Sequence, residues 1–139
     1  MITLAENEIT KEEYLEIRKK VGWKKLSDDQ AEKALKNCLF NVKAIDENGE
    51  MIGMGRIVGD GAVICYIQDL IVIPNAQGKG VGTLIINRLK KFVEDIREED
   101  TWMMLCLMCA KGREAFYVKN GFMKRPTENL GPGMIMYME

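Results

Sequence analysis

The stretch that decides the fold is Leu70-Ile71-Val72-Ile73-Pro74-Asn75-Ala76-Gln77-Gly78-Lys79-Gly80-Val81-Gly82. An apolar run ends at Pro74, and glycines at positions 78, 80 and 82 then lead into a new segment. Glycine tolerates backbone torsions that other residues avoid, and the free N–H groups at a helix start attract anions. The stretch therefore predicts a buried strand, a turn suited to phosphate and the start of a helix.

Two other phosphate-binding motifs do not match this turn. The P-loop requires Gly-x-x-x-x-Gly-Lys-Ser/Thr, whereas Lys79 is followed by Gly80. The dinucleotide-binding fingerprint requires Gly-x-Gly-x-x-Gly, whereas the third glycine here, Gly82, comes one position too early. The alternative to a phosphate site is a tight strand-to-helix turn that binds no ligand.

Four segments carry helix signals. Thr10 with Glu13 and Ser27 with Gln30 have the spacing of capping boxes, so two helices are expected near the start. Apolar residues recur at helical spacing over residues 81–96, which predicts the best-defined helix. A short helix is expected near residues 112–120, where a glycine follows.

Strand-like runs separate these helices. A short strand is expected at the start, followed by strands at residues 39–45, 51–58, 62–73 and 103–108 and two final strands near 122–124 and 134–137. The run at 62–73 is apolar on both faces, which is typical of a central strand covered on both sides. The predicted order is β-α-α-β-β-β-α-β-α-β-β, an α/β fold in a single domain over residues 1–139.

Composition excludes several classes of function. Twenty basic and twenty-one acidic residues give a formal charge of −1 without a basic stripe, so nucleic acid is not an expected partner. No apolar run approaches the ~20 residues that span a bilayer, and no secretory signal begins the chain, so the expected location is the cytoplasm. The chain contains no histidine, which excludes Ser-His-Asp and Cys-His catalysis.

The four cysteines are expected to be buried, reduced thiols rather than disulfides. Cys106 and Cys109 match C-x-x-C, but residues three apart in a strand point to opposite faces and cannot chelate one ion together. No metal site is predicted.

Two segments resemble the GNAT superfamily of acetyl-CoA-dependent N-acetyltransferases. Gln77-Gly78-Lys79-Gly80-Val81-Gly82 is similar to that family's Gln/Arg-x-x-Gly-x-Gly/Ala signature. Residues 114–122, Glu-Ala-Phe-Tyr-Val-Lys-Asn-Gly-Phe, look like its A-x-x-Tyr-x-x-x-Gly-Phe segment with one spacer fewer. The resemblance implies the GNAT fold, in which helices flank a mixed, mostly antiparallel sheet.

The resemblance also implies the acetyl-CoA site. Its pantetheine arm would pair with the backbone of Leu70, Ile71 and Val72. The pyrophosphate would be held by the turn and first helical residues, Gln77, Gly78, Lys79, Gly80, Val81, Gly82 and Thr83.

Tyr117 would be the general acid, since a phenol (pKa ~10) can donate a proton to a departing CoA thiolate (thiol pKa ~8.5). The alternative is that Tyr117 is a core aromatic beside Phe116.

Asp69 is the leading candidate for the base that deprotonates the acceptor amine, directly or through water. Tyr66-Ile67-Gln68-Asp69 is similar to the strand of glucosamine-phosphate N-acetyltransferases that carries Glu-Asp, but Gln68 replaces the glutamate. The alternative is that Asp69 is a structural or orienting carboxylate.

The predicted acceptor is a primary amine of a small molecule, bound by Trp23, Gln68, Glu128 and Asn129. Three other functions stay open: a non-catalytic acyl-CoA sensor, a protein N-terminal acetyltransferase, and an interaction domain without a cofactor, in which the glycine turn is only structural. The apolar ending at residues 134–138 suggests a homodimer.

Overall fold

The computed structural model describes residues 1–139. The elements are β1 (Thr3–Glu6), α1 (Lys11–Lys20), α2 (Asp28–Asn37), β2 (Phe40–Ile45), β3 (Met51–Gly59), β4 (Ile64–Val72), a short 3₁₀ helix (Pro74–Ala76), α3 (Val81–Ile96), β5 (Met104–Leu107) and α4 (Glu114–Lys119). The strands form one sheet in the order β1-β2-β3-β4-β5. Because the β1–β2, β2–β3 and β3–β4 pairs are antiparallel and helices flank the sheet, the predicted α/β fold is confirmed.

The chain divides into two compact units, Met1–Cys106 and Leu107–Glu139. The first unit contains β1 to β4, the start of β5 and helices α1 to α3. The second contains α4 and the C-terminal segment.

Both N-terminal helices begin at the predicted capping boxes. The Thr10 hydroxyl accepts from the Glu13 N–H at 3.1 Å, and the Glu13 carboxylate accepts from the Thr10 N–H at 2.9 Å. Ser27 and Gln30 make the same reciprocal pair at 3.0 and 2.9 Å. Each pair satisfies two backbone donors that a helix start leaves without partners, which fixes where α1 and α2 begin.

Two glycines of β3 let α3 pack closely on the sheet. A Cβ atom at Gly53 would lie 2.8 Å from Ile85 Cδ1, and one at Gly55 would lie 2.7 Å from Leu89 Cδ1. Both contacts are shorter than carbon atoms tolerate, so a larger residue at either position would force Ile85 or Leu89 to shift. Ile85 and Leu89 are fully buried there, and this face of the sheet forms the main core.

A bulge in β4 determines which face of the sheet Asp69 occupies. Arg56 pairs with Asp69, but the next residue of β3, Ile57, pairs with Ile67, so Gln68 is an extra residue in β4. A shift of one residue exchanges the two faces of a strand. Asp69 therefore lies beside Arg56, on the face that α1 and α2 cover, and not under α3.

The burial of β4 agrees with the prediction of a strand covered on both faces. Cys65, Ile67, Asp69 and Ile71 are buried, Gln68 is exposed and the other residues of β4 are half-buried. Because their partners Ile57 and Arg56 are consecutive in β3, Ile67 and Asp69 lie on opposite faces, so buried residues occupy both. The neighbouring strand β3 is covered in the same way, since residues 52–57 are all buried.

The two final strands that the sequence predicted are absent. Residues 122–124 and 134–137 have no strand structure, and the large apolar side chains of residues 134–138 are 65–87% exposed. Pro126 and Pro132 lie in the loop between these segments. Local hydrogen bonds stabilise the loop instead. In one of them Arg125 Nε donates to the Gly131 carbonyl at 2.6 Å.

The cysteines are free thiols, as expected, but their burial varies. Cys65 is buried, Cys38 and Cys106 are half-buried and Cys109 is exposed, so the prediction that all four are buried is wrong. No group of three or more cysteine or carboxylate side chains is arranged to hold a metal ion. None of the helices has the length and apolar content needed to cross a membrane.

Candidate active site

Asp69 is the centre of a buried ionic cluster, called here the Asp69 cluster, formed with Tyr14, Arg18 and Arg56. Its Oδ2 accepts a hydrogen bond from the Tyr14 hydroxyl at 2.6 Å and another from Arg56 Nε at 2.8 Å. Arg18 Nη1 lies 3.4 Å from Oδ1, and the Asp69 side chain is 0% exposed. A carboxylate enclosed in this way cannot touch an acceptor amine, so the prediction of Asp69 as a direct base disagrees with its position.

Tyr14 is neutral and Arg56 is charged at neutral pH. Burial and the neighbouring Asp69 raise the pKa of Tyr14 to about 12, which keeps its phenol protonated. Burial alone would lower the pKa of Arg56, but its attraction and hydrogen bond to Asp69 outweigh that effect and raise it. A buried ion requires such a partner because its lost hydration is costly. Two cations thus share one anion in the cluster.

Aromatic rings hold the two arginines in place. The guanidinium carbon of Arg18 lies 5.6 Å from the centre of the Tyr14 ring and 5.4 Å from that of Trp23. The guanidinium carbon of Arg56 lies 5.5 Å from the centre of the Tyr14 ring. These distances are within the range of cation–π contacts. Trp23, which the sequence predicted to bind the acceptor, therefore packs against Arg18.

A cavity of about 470 Å³ lies beside the Asp69 cluster. Its size is in the range of small-molecule sites. Arg18, Lys33 and Arg56 contribute positive charge, and no carboxylate lines it. The full lining is Tyr14, Arg18, Leu26, Gln30, Lys33, Ala34, Asn37, Arg56, Val58 and Gln68. Of the predicted acceptor-binding residues, Gln68 lines this cavity and Trp23 does not.

The glycine turn before α3 is open. Gly78 and Gly80 have φ angles of 78° and 83°, and a Cβ atom at either would meet nothing within 4 Å. Gly80 precedes the first helical residue, and no side chain caps that end of α3. The first turn of a helix has N–H groups without helical partners and a partial positive charge. The turn therefore offers an accessible anion site, with Lys79 exposed beside it.

Two residues of the predicted phosphate site have structural contacts. The Gln77 side-chain amide donates to the Val72 carbonyl at 3.0 Å, which ties the turn to the end of β4. The Val81 side chain is 1% exposed and belongs to the core. Val81 can therefore offer only its backbone to a ligand, whereas Gly82 and Thr83 are half-buried on the first helical turn.

The C-terminal half of β4 has a free edge. The N–H of Met104, the first residue of β5, bonds to the Val63 carbonyl at 2.9 Å. Because β5 has four residues, it extends along β4 no further than Ile67. The backbone of Leu70, Ile71 and Val72 pairs with β3 on one side and lies beyond β5 on the other, where the Gln77 amide already donates to the Val72 carbonyl. An extended ligand can add to such an edge like another strand.

Tyr117 lies in α4, in the second unit. Its ring makes edge contacts with Phe116 and Phe122, with centroids 5.1 and 5.8 Å apart. Burial raises its pKa to about 12, Cys109 adds to this effect, and Arg113 opposes it. A proton donor and a packing aromatic would both have this environment, so the catalytic role of Tyr117 stays a prediction.

Glu128 and Asn129 lie in the exposed loop of the second unit. The N–H of Asn129 donates to Thr127 Oγ1 at 3.3 Å, and that of Thr127 donates to the Leu130 carbonyl at 2.8 Å. These bonds shape the loop and leave both side chains at the surface. Their predicted contact with the acceptor stays a prediction.

The sequence matches the family described as "Acetyltransferase (GNAT) domain" over residues 38–124. The chain belongs to the GNAT acetyltransferase family. That match includes β2 to β5 and α3, the elements that carry the glycine turn and Asp69, and it continues through Tyr117.

Solved GNAT-like structures share the whole fold. A probable acetyltransferase of unknown function from methicillin-resistant Staphylococcus aureus is 33% identical, with a TM-score of 0.86 over 99% of this chain and 100% of that one. A GNAT family acetyltransferase from Streptococcus pneumoniae is 27% identical, with a TM-score of 0.82 over 100% of both chains. The predicted superfamily and GNAT fold are confirmed.

Curated relatives are longer than this GNAT chain. The "Uncharacterized N-acetyltransferase ycf52" of Pyropia yezoensis is 29% identical over 76% of this chain and 60% of its own length. "GCN5-related N-acetyltransferase 3, chloroplastic" of Arabidopsis thaliana is 31% identical over 54% of this chain and 30% of its own length. This chain thus spans less than two thirds of either relative.

Sequence reasoning missed the partners of Asp69 in this GNAT protein. No motif of the sequence assigns a functional role to Tyr14, Arg18 or Arg56. Two signals were present: Arg18 follows Tyr14 by one helical turn, and Arg56 interrupts an apolar strand. Arginine in an apolar run is rarely buried unless it is paired, which should have prompted a search for a carboxylate.

Proposed function

We propose that this GNAT protein is an acetyl-CoA-dependent N-acetyltransferase that acts on a primary amine of a small molecule. The observation that carries the proposal is the open glycine turn at the end of β4, next to a strand edge without a partner. The N–H groups from Gly78 to Thr83 would hold the pyrophosphate, with Lys79 beside them. The backbone of Leu70, Ile71 and Val72 would pair with the pantetheine arm.

Tyr117 would assist the departure of the thiol. Bound acetyl-CoA supplies an acetyl carbonyl activated as a thioester. As the neutral acceptor nitrogen bonds to that carbon and the C–S bond breaks, Tyr117 would give its phenolic proton to the sulfur and regain, through water, the second proton that the nitrogen then loses. The acceptor ammonium loses its proton to water, because Asp69 is enclosed and the chain has no histidine. Asp69 would instead hold Arg18 and Arg56 beside the acceptor cavity.

The volume of the cavity supports a small acceptor. A space of about 470 Å³ accommodates a metabolite better than a folded protein carrying an N-terminus. Release of free CoA thiol during turnover separates this function from that of a sensor, which would bind acetyl-CoA without consuming it.

Gly80→Asp tests the cofactor site. The variant places a negative charge in the proposed pyrophosphate site, so the affinity for acetyl-CoA should fall by roughly 10- to 100-fold, the range of a charge-assisted contact. Isothermal titration calorimetry with acetyl-CoA measures the change directly.

Gly80→Asn is the matched control. Asparagine has nearly the same shape and adopts the left-handed backbone of Gly80 at similar cost, but it carries no charge. Its affinity should lie much closer to that of the wild-type protein. Equal binding by the wild-type and aspartate proteins would show that the turn does not hold the pyrophosphate.

We also propose that the protein forms a homodimer through the apolar C-terminal segment at residues 134–138. The five consecutive side chains from Met134 to Met138 are all at least 65% exposed, which is unusual for adjacent apolar residues. Light scattering at micromolar concentration should therefore give twice the chain mass of 15.8 kDa. A monomeric mass would exclude this dimer.

A further inference from the structure

We propose that the cavity beside the Asp69 cluster selects acceptor amines that also carry an anionic group, a carboxylate or a phosphate. The proposal rests on the acetyl transfer proposed above, since it names the class of acceptor for that reaction. It follows from the charges, positions and hydrogen bonds of the residues that line the cavity.

The charge of the cavity is positive. Arg18, Lys33 and Arg56 line it, and Asp69, buried behind it, offsets one of these cations. The remaining polar lining consists of amides from Gln30, Asn37 and Gln68. An acceptor with a second positive charge would find no carboxylate here and would be repelled, whereas an anionic group would be attracted.

The two arginines are held in fixed orientations. Arg56 donates from Nε to Asp69 at 2.8 Å and from Nη1 to the Ala34 carbonyl at 3.3 Å. Arg18 donates from Nη2 to the Lys24 carbonyl at 2.7 Å. The Arg18 and Arg56 side chains are only 12% and 8% exposed. Guanidinium groups that are already ordered lose little entropy when they bind a carboxylate or phosphate.

One donor of this cluster lacks an acceptor. Arg18 Nε is buried and makes no hydrogen bond within the chain. A buried donor without a partner is costly, by roughly 1–3 kcal/mol, so an acceptor atom from outside the chain would stabilise it. Because Arg18 lines the cavity, an anionic ligand there would lie close to this incompletely bonded guanidinium.

Substrate preference is the first test. Acetyl-CoA-dependent thiol release would be measured with β-alanine, O-phosphoethanolamine, ethanolamine and 1,3-diaminopropane. We expect kcat/KM for at least one acidic amine to exceed that for ethanolamine by about tenfold or more, because its anionic group complements the positive cavity. Added salt should lower this kcat/KM, since salt screens the attraction. Comparison of β-alanine with O-phosphoethanolamine shows whether the cavity prefers a carboxylate or a phosphate.

A matched pair of variants in α2 is the second test. Lys33 lines the cavity and Lys36, one turn further along the same helix, does not. Lys33→Glu should lower kcat/KM for the preferred acidic amine by about tenfold and should reduce or reverse the preference for that amine over ethanolamine. Lys36→Glu, which makes the same change of net charge, should leave both values unchanged.

Calorimetric binding of the acidic amines to the CoA-loaded protein separates the two proposals. Binding that Lys33→Glu weakens, without thiol release, would support the charge selection and overturn acetyl transfer. Faster turnover of ethanolamine or diaminopropane would overturn the selection and leave acetyl transfer intact. Equal responses of the Lys33 and Lys36 variants would overturn the assignment to this cavity. Absence of both binding and turnover with every amine would overturn both proposals.

Discussion

Tyr117→Phe is expected to slow acetyl transfer by ~10²–10⁴, the range seen when general-acid help is lost. The measurement is single-turnover transfer with a saturating amine, because slow product release would hide the effect in steady-state rates. Burial raises the pKa of Tyr117 to about 12, so the phenol is protonated at neutral pH. Its contribution to the rate should persist through neutral pH and disappear only as pH rises towards 12.

The substitution is mild in structural terms, which makes the comparison clean. Phenylalanine keeps the ring and its contacts with Phe116 and Phe122, so acetyl-CoA affinity should change little. Tyr137→Phe, at an exposed tyrosine of the same unit, is the control and should transfer at the wild-type rate. If Tyr117→Phe binds acetyl-CoA normally and also transfers at that rate, Tyr117 is a packing residue.

Features encoded by nearby residues were predictable from the sequence. Helix α3 begins and ends at Val81 and Ile96, as its apolar periodicity indicated, and α1 and α2 begin at their capping boxes. These signals lie within a few residues of the structure they determine. The glycine turn was likewise visible as an open turn before a helix.

Features that depend on distant residues were not predictable. Tyr14 and Arg18 are 55 and 51 residues from Asp69 in the chain, and no local pattern connects them. The bulge at Gln68, which places Asp69 on the face of α1, depends on the pairing register with β3. The prediction of two C-terminal strands was wrong although its signals were local. Apolar composition suggested strands, but the prolines and glycines between the two segments favoured a loop.

Asp69→Asn is expected to lower the free energy of unfolding by ~3–5 kcal/mol, the cost of removing one partner from a buried ion pair. Asparagine keeps the shape of the side chain but leaves the buried Arg56 without an opposite charge. Denaturation in urea measures this change. Tyrosine titration gives a second measurement, because burial and then Asp69 raise the pKa of Tyr14, and removing the charge should lower that pKa from about 12.

The pH dependence of stability follows from the direction of that shift. The raised pKa of Tyr14 contributes stability that is complete below the unfolded value of ~10 and is lost as pH rises towards 12. In Asp69→Asn this alkaline loss should begin at the same pH, be smaller and end at a lower pH, because only the folded pKa of Tyr14 falls. The double variant Asp69→Asn/Arg56→Met leaves no unpaired charge from this pair and should be destabilised by less than the two single variants together.

The same variant decides between the two roles of Asp69. A positioning carboxylate predicts a raised KM for the acceptor, because Arg18 and Arg56 lose their anchor, with an unchanged pH–rate profile. A base acting through water predicts a lower kcat at neutral pH that recovers as pH rises and more amine is unprotonated. Since Asp69 is fully enclosed by its three partners, we expect the first result. A variant as stable as the wild-type protein, with a kcat that recovers at high pH, would instead establish Asp69 as the base.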